Sequence, residues 1–249
     1  GLATATGAVI SLAVMCSHFF SRKCTLHLVP VQKLFKKLGE IAVTGFSSFF
    51  VDVAMGILTV LFNRQIMKYL DSDALAVYAT VINISTFVQC CTYSVGQAAQ
   101  PILSTNYGAN NAARIRQALH LALGTSMVFA AFWTGLSELF PQLYIHIFMR
   151  PSAEILAIAP AIIRRYSVSF VLLPVNIFST YYFQSILRPK DSFIVSIARG
   201  LLVSGLLIFA LPALFAPEAI WWAMPLTELV TSVYAAYAMR KSLTGLCAN

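Results

Sequence analysis

Apolar residues run along this chain in long stretches, broken by short polar segments. Seven stretches stand out, at about 2–20, 41–62, 74–96, 117–138, 157–183, 193–214 and 219–239. Each is close to the roughly 20 residues that a helix needs to cross about 30 Å of hydrocarbon. None alternates with the two-residue period of a barrel strand, so the pattern predicts an all-α polytopic membrane protein with seven transmembrane helices. The prolines agree with these limits. Pro30, Pro141, Pro151, Pro189 and Pro217 fall between stretches. Pro160, Pro174, Pro212 and Pro225 fall inside or at the ends of stretches, where a proline starts or kinks a helix.

Composition sharpens the picture. Of 249 residues, 59% are hydrophobic and 10% charged, against about 25% charged in soluble domains. That is too few charges for a water-facing skin. It excludes a soluble enzyme, a disordered chain and a nucleic-acid module, although the net charge is +8. The lipid bilayer is the expected partner, and no nucleic acid is. Topology accounts for the excess of cations. If the seven stretches alternate, twelve of the 17 Lys and Arg fall on one side. The other side receives only Arg64, Lys68, Arg150, Arg164 and Arg165. The richer side is assigned to the cytoplasm, which puts the C-terminus there. The expected location is the cell (plasma) membrane, with multiple passes. The basic segment 21–40 is partly amphipathic (Val31, Leu34, Phe35, Leu38) and suits a membrane surface.

Gly1-Leu2-Ala3 enters a span at once, without the basic start or cleavage site of a signal peptide. Two readings stay open: a seven-span protein, or a fragment cut in front of a span, with 21–40 as a linker between lobes. The five cysteines form no CxxC pair, so neither a disulfide framework nor a zinc site is expected. Cys16, Cys90 and Cys91 lie in apolar stretches and read as small buried thiols. The four histidines share no face, and no nucleophile elbow or HExxH occurs. No enzyme, cofactor or resident metal is expected.

Polar residues inside the spans carry the candidate chemistry, because a charge at mid-bilayer costs about 3 kcal/mol on insertion scales. In the second stretch Asp52 stands on a helical face of small and polar residues: Gly45, Ser48, Asp52, Gly56, Thr59 and Asn63. The third stretch repeats the device with Ala79, Asn83, Thr86, Cys90, Ser94 and Gln97. The fifth carries Ser169, Asn176, Thr180 and Gln184, with Pro174 freeing backbone groups nearby. The seventh carries Glu228 with Thr231 and Ser232. Polar faces in lipid turn to one another or to water, which predicts a bundle around a polar cavity. Plainer readings exist for each. Asp52 can serve as a hydrogen-bond partner between helices, and Glu228 as a packing residue. Arg164 and Arg165 can snorkel to the outer face, or one can pair with a carboxylate. Trp221 and Trp222 suit an interfacial belt.

The stretch Gly96-Gln97-Ala98-Ala99-Gln100-Pro101-Ile102-Leu103-Ser104-Thr105-Asn106-Tyr107-Gly108-Ala109 reads as a short cytoplasmic turn, with Gly108 as helix stop. It resembles the signature of the multidrug and toxic compound extrusion (MATE) transporters. Gly45 to Phe49 with Leu61-Phe62-Asn63 resembles the first helix of that family's C-terminal lobe, in Firmicutes-type members. Tyr182 to Ser185, Ala198-Arg199-Gly200 and Trp222 to Glu228 are similar to its last three helices.

The resemblance implies a two-lobe, twelve-helix architecture. Residues 1–20 correspond to helix six, 21–40 to the basic cytoplasmic interlobe linker, and 41–245 to the six-helix C-terminal lobe. The N-terminal lobe's helices one to five would be a missing partner. The implied function is multidrug efflux: export of cationic amphipathic compounds by antiport with H+ or Na+. Asp52 and Glu228 would be the proton- or cation-coupling residues, with Asp52 a possible Na+ site. Asn83, Thr86, Asn176, Thr180 and Gln184 would line the substrate cavity. Two other readings compete. One is a lipid-linked oligosaccharide flippase of the same superfamily, which requires a more cationic cavity than Arg164, Arg165 and Arg199 near span ends supply. The other is a non-transporting membrane module.

Overall fold

The computed structural model describes residues 2–17, 19 and 33–247, and of these not the side chains at 2–4, 40–52 and 246–247. It divides into two compact units, Gly1–Gly45 and Phe46–Asn249. The first holds α1 (Leu2–Ser17), an apolar helix exposed from residue 5 onward, and the start of α2 (Leu34–Tyr69).

The second unit continues through α3 (Ser72–Gly108), α4 (Ala112–Leu139), α5 (Pro141–Phe148), α6 (Ala153–Ser167), α7 (Ser169–Ser185) and α8 (Pro189–Ile197). A π-helical turn (Ala198–Leu202), α9 (Val203–Leu214), a 3-10 turn (Pro217–Trp222) and α10 (Ala223–Cys247) complete it. Among the described residues there is no strand. Among the described residues four helical runs are long and apolar enough to cross a membrane: Ser72–Gly108, Ala112–Leu139, Ala153–Ser185 and Pro189–Leu214. The protein is thus an all-helical, multi-pass membrane protein.

Local chemistry sets the helix limits. Asp71 caps α3 by accepting a hydrogen bond from the Ala74 amide at 2.8 Å, and Asn111 caps α4 from the Arg114 amide at 3.1 Å. Ser152 does the same for α6. Pro141 and Pro189 open α5 and α8, where a missing N–H costs nothing. The polar segment after residue 96 is not a turn, as the sequence suggested. It remains helical through Pro101 to Gly108, and the reversal is confined to residues 109–111. Asn110 takes the left-handed conformation there (φ 54°), which asparagine tolerates better than most residues. The Asn106 side chain donates back to the Ile102 carbonyl at 2.8 Å, and Ser104 to that of Pro101 at 3.2 Å. The polar side chains are satisfied within their own helix, so they do not break it.

Helix α7 is central and packs on α3, α4, α8 and α10. Two apolar clusters divide the interior. One gathers Phe62, Tyr78, Tyr166, Phe170 and Trp221, with Phe62 stacked on Tyr78 at 5.0 Å between ring centroids. The other gathers Leu103, Ile115, Phe178, Tyr182, Phe183 and Met239. Along α7 the clusters meet around Asn176: Leu173 and Ile177 belong to the first and Phe178 to the second. Along α10 they meet at Glu228, between Met224 and Ala235. A polar layer therefore lies between two greasy ones.

Several expectations change. Trp221 is core rather than interfacial, with 1% exposure against 41% for Trp222. Its ring lies 6.3 Å from that of Tyr78, inside the aromatic cluster. Cys16 and Cys90 are exposed rather than buried. For Arg164 and Arg165 one of the two open readings is met: Arg165 pairs with the Glu218 carboxylate at 2.6 Å, and Arg164 Nε donates to the Glu138 carbonyl at 3.0 Å.

Candidate functional site

The polar layer is built on a buried ion pair. Glu228 has no exposed surface, and its Oε1 accepts from Arg199 Nε at 2.7 Å. Asn176 Nδ2 donates to Glu228 Oε2 and, at 2.9 Å, to the Glu228 carbonyl. Three helical segments are thereby tied at one level: α7, the π turn and α10. A carboxylate without these donors would be prohibitive in so apolar a bundle. The π turn places Arg199. Its wider coil interrupts the run from α8 to α9 and carries Arg199 and Gly200 inward, both buried. Single π turns recur at functional sites in other helical proteins.

Beside the pair lies a cavity of about 380 Å³. Its walls come from Met55 of α2, Tyr93 and Gln97 of α3, Asn176, Thr180, Tyr181 and Gln184 of α7, and Ser192 to Arg199 of α8 and the π turn. Tyr93 and Tyr181 meet edge to face at 6.3 Å. Gly96 allows that approach: a Cβ there would lie 2.5 Å from Tyr181 Cδ2. The volume falls in the usual range for small-molecule sites, about 300–1,000 Å³.

The sequence-predicted residues separate into three groups. Asn176, Thr180 and Gln184 line this cavity together, and Glu228 is held directly behind it by Asn176 and Arg199. Asn83 and Thr86 are not in it. They are exposed on α3 in line with Ala79, Cys90, Ser94 and Gln97, all exposed as well. Gly56, Thr59 and Asn63 are likewise exposed on α2. The Asp52 backbone is helical, but its side chain lies outside the described residues. Sequence reasoning missed the role of Arg199, which it placed near a span end. The helix begins at Pro189, so Arg199 lies ten residues inside it. One cation and one anion, each deep in neighbouring spans, were the available signal.

The family's sequence profile, described as MatE, matches residues 48–209. The chain belongs to the MatE family. No curated protein matches it. Among solved structures, it is similar to an outward-facing multidrug resistance MATE family transporter of the MOP superfamily. The TM-score is 0.85 at 18% identity, covering 97% of this chain and 55% of that one. A MATE transporter in its straight conformation gives 0.84 at 18% identity, over 97% and 55%. A MOP superfamily transporter from Pyrococcus furiosus, described by a reversed polarity of its binding pocket, gives 0.84 at 17% identity, over 96% and 54%. These likenesses show the fold. The chain spans about 55% of the length of the first two structures.

Proposed function

We propose that this chain is one lobe of a multidrug efflux transporter, exporting cationic amphipathic compounds by antiport with H+ or Na+. Residues 41–245 form the lobe, 21–40 the cytoplasmic linker and 1–20 a helix of the opposite lobe. The observation that carries this reading is the row Ala79, Asn83, Thr86, Cys90, Ser94 and Gln97, exposed along a helix long and apolar enough to span. Such a row is costly against lipid. It is satisfied by a water-filled path between this lobe and a second one.

In this reading Asn83 and Thr86 offer uncharged dipoles to the cationic group of a passing substrate, and Asn176, Thr180 and Gln184 offer theirs to its uncharged parts beside Arg199. Asp52, on the corresponding stripe of α2, is neutralised in turn by a proton, a sodium ion or a cationic substrate. Their competition for one carboxylate is the exchange mechanism: the ion displaces drug on the outside, and drug displaces the ion within. Glu228 contributes through its link to Arg199 and Asn176. The C-terminus faces the cytoplasm of a plasma membrane. The test is ethidium efflux from cells making the full-length protein, under separately imposed proton and sodium gradients. Asp52→Asn should abolish efflux at unchanged expression. Full efflux in that variant removes Asp52 from the mechanism.

A further inference from the structure

The cavity has a polarity that its neighbouring carboxylate conceals. A guanidinium carries five N–H donors. Arg199 uses Nε on Glu228, and its other donors take no partner among the described residues. Arg199 lines the cavity with its side chain 10% exposed, whereas Glu228 is 0% exposed and does not line it. Arg199 is also the one charged residue among the described residues that line it. The ion pair is therefore a dipole whose positive, donor-rich end meets the cavity and whose negative end is sealed behind. Asn176 adds a second unspent group. With Nδ2 committed to Glu228, its Oδ1 is buried without a partner among the described residues, in a residue that lines the cavity. Buried polar atoms are rarely left unsatisfied, so Asn176 Oδ1, next to a guanidinium edge that is open to the cavity, marks unused polar capacity beside it. The remaining wall is half apolar, with Ile177, Tyr181 and Phe193.

We infer that this cavity binds the oxyanion group of a drug-sized organic molecule, a carboxylate, sulfonate or phosphate held on the free edge of the Arg199 guanidinium. Two parallel N–H···O bonds suit such a group, and a planar guanidinium presents them without rearrangement. The aromatic wall takes the ligand's apolar body. The site concerns this lobe alone and is read by binding. Its failure is thus separable from failure of cation-coupled efflux.

The test uses the full-length protein in phosphatidylcholine nanodiscs and three probes of one shape: naphthoate, naphthamide and naphthylmethylammonium. Calorimetry should show naphthoate bound about tenfold more tightly than naphthamide, with the ammonium weakest. Arg199→Gln with Glu228→Gln removes the dipole without leaving a lone charge, and should erase the preference. Should that double variant fail to fold, Ser196→Phe fills the cavity while sparing the ion pair, and should weaken naphthoate at least tenfold. Equal affinity for naphthoate and naphthamide, tighter binding of the ammonium, or a preference that survives these variants would each overturn the inference. Adding phosphatidylglycerol at high salt, where surface charge is screened, identifies the source. Competition with naphthoate assigns the oxyanion to a lipid headgroup; unchanged affinity assigns it to a free organic anion.

Discussion

Removing Arg199 alone should be far more damaging than removing Arg199 and Glu228 together. The carboxylate is fully buried, 2.7 Å from the guanidinium, and among the described residues its one other side-chain donor is Asn176. In Arg199→Met the charge stays, with a single neutral amide to hold it. Breaking a buried pair in this way costs about 3–5 kcal/mol. Replacing both partners by neutral groups of similar size leaves nothing to compensate, so Arg199→Met with Glu228→Gln should fall within about 1–2 kcal/mol of the parent. For a chain of this size each kcal/mol moves Tm by roughly 2–4 °C, so the single variant should melt some 6–20 °C lower. Thermal unfolding of purified protein in detergent, followed by tryptophan fluorescence, reads the difference. The decisive quantity is the coupling between the two substitutions, which should exceed about 1.5 kcal/mol. Additive losses would refute the claim that these charges sustain each other in the polar layer.

Gly96→Ala should narrow the cavity. Its Cβ would lie 2.5 Å from Tyr181 Cδ2 and 2.8 Å from Cγ, so the ring must move, at about 1–3 kcal/mol. Gly200→Ala is the control, since its nearest neighbour is Ala54 Cβ at 3.5 Å, an ordinary contact, and it should show no loss of Tm. Asp71→Ala removes the cap of α3, a 2.8 Å bond to the Ala74 amide, and should cost about 1 kcal/mol in the same unfolding assay; Asp71→Asn should retain most of it.

The all-helical, membrane-crossing character was legible because burial in lipid imposes a length and a uniform apolarity that no partner residue has to complete; of the seven expected spans, four helical runs among the described residues are long and apolar enough to cross. The limits were less legible. The third stretch ends near residue 96 by hydropathy, but α3 continues to Gly108 because its polar side chains bond within their own helix. The fifth stretch conceals a break at Val168, where Ser167 turns to the Glu138 carboxylate at 3.0 Å. Of the polar stripes, the α7 stripe reaches a cavity inside the lobe, with Gln97 at the end of the α3 stripe, while the rest of the α3 stripe and the described α2 positions Gly56, Thr59 and Asn63 are exposed. Periodicity says which residues share a face, and only tertiary packing says what that face meets. The pairing of Arg199 with Glu228 was hidden for the same reason: the two lie 29 residues apart, on segments brought together by the π turn.

Water access along the α3 stripe tests the transport reading most directly. Cys90 stands on that stripe. In the full-length protein with its other cysteines replaced by serine, a charged, membrane-impermeant thiol reagent should modify Cys90. It should equally modify a cysteine introduced as Asn83→Cys or Thr86→Cys in a cysteine-free background, and transported cations should slow the reaction. Phe87→Cys, at an exposed apolar position (54%) beside the stripe, should stay unmodified because lipid covers it. Unreactive stripe positions, or equal labelling of residue 87, would place the polar row against lipid or protein and contradict a water-filled path there.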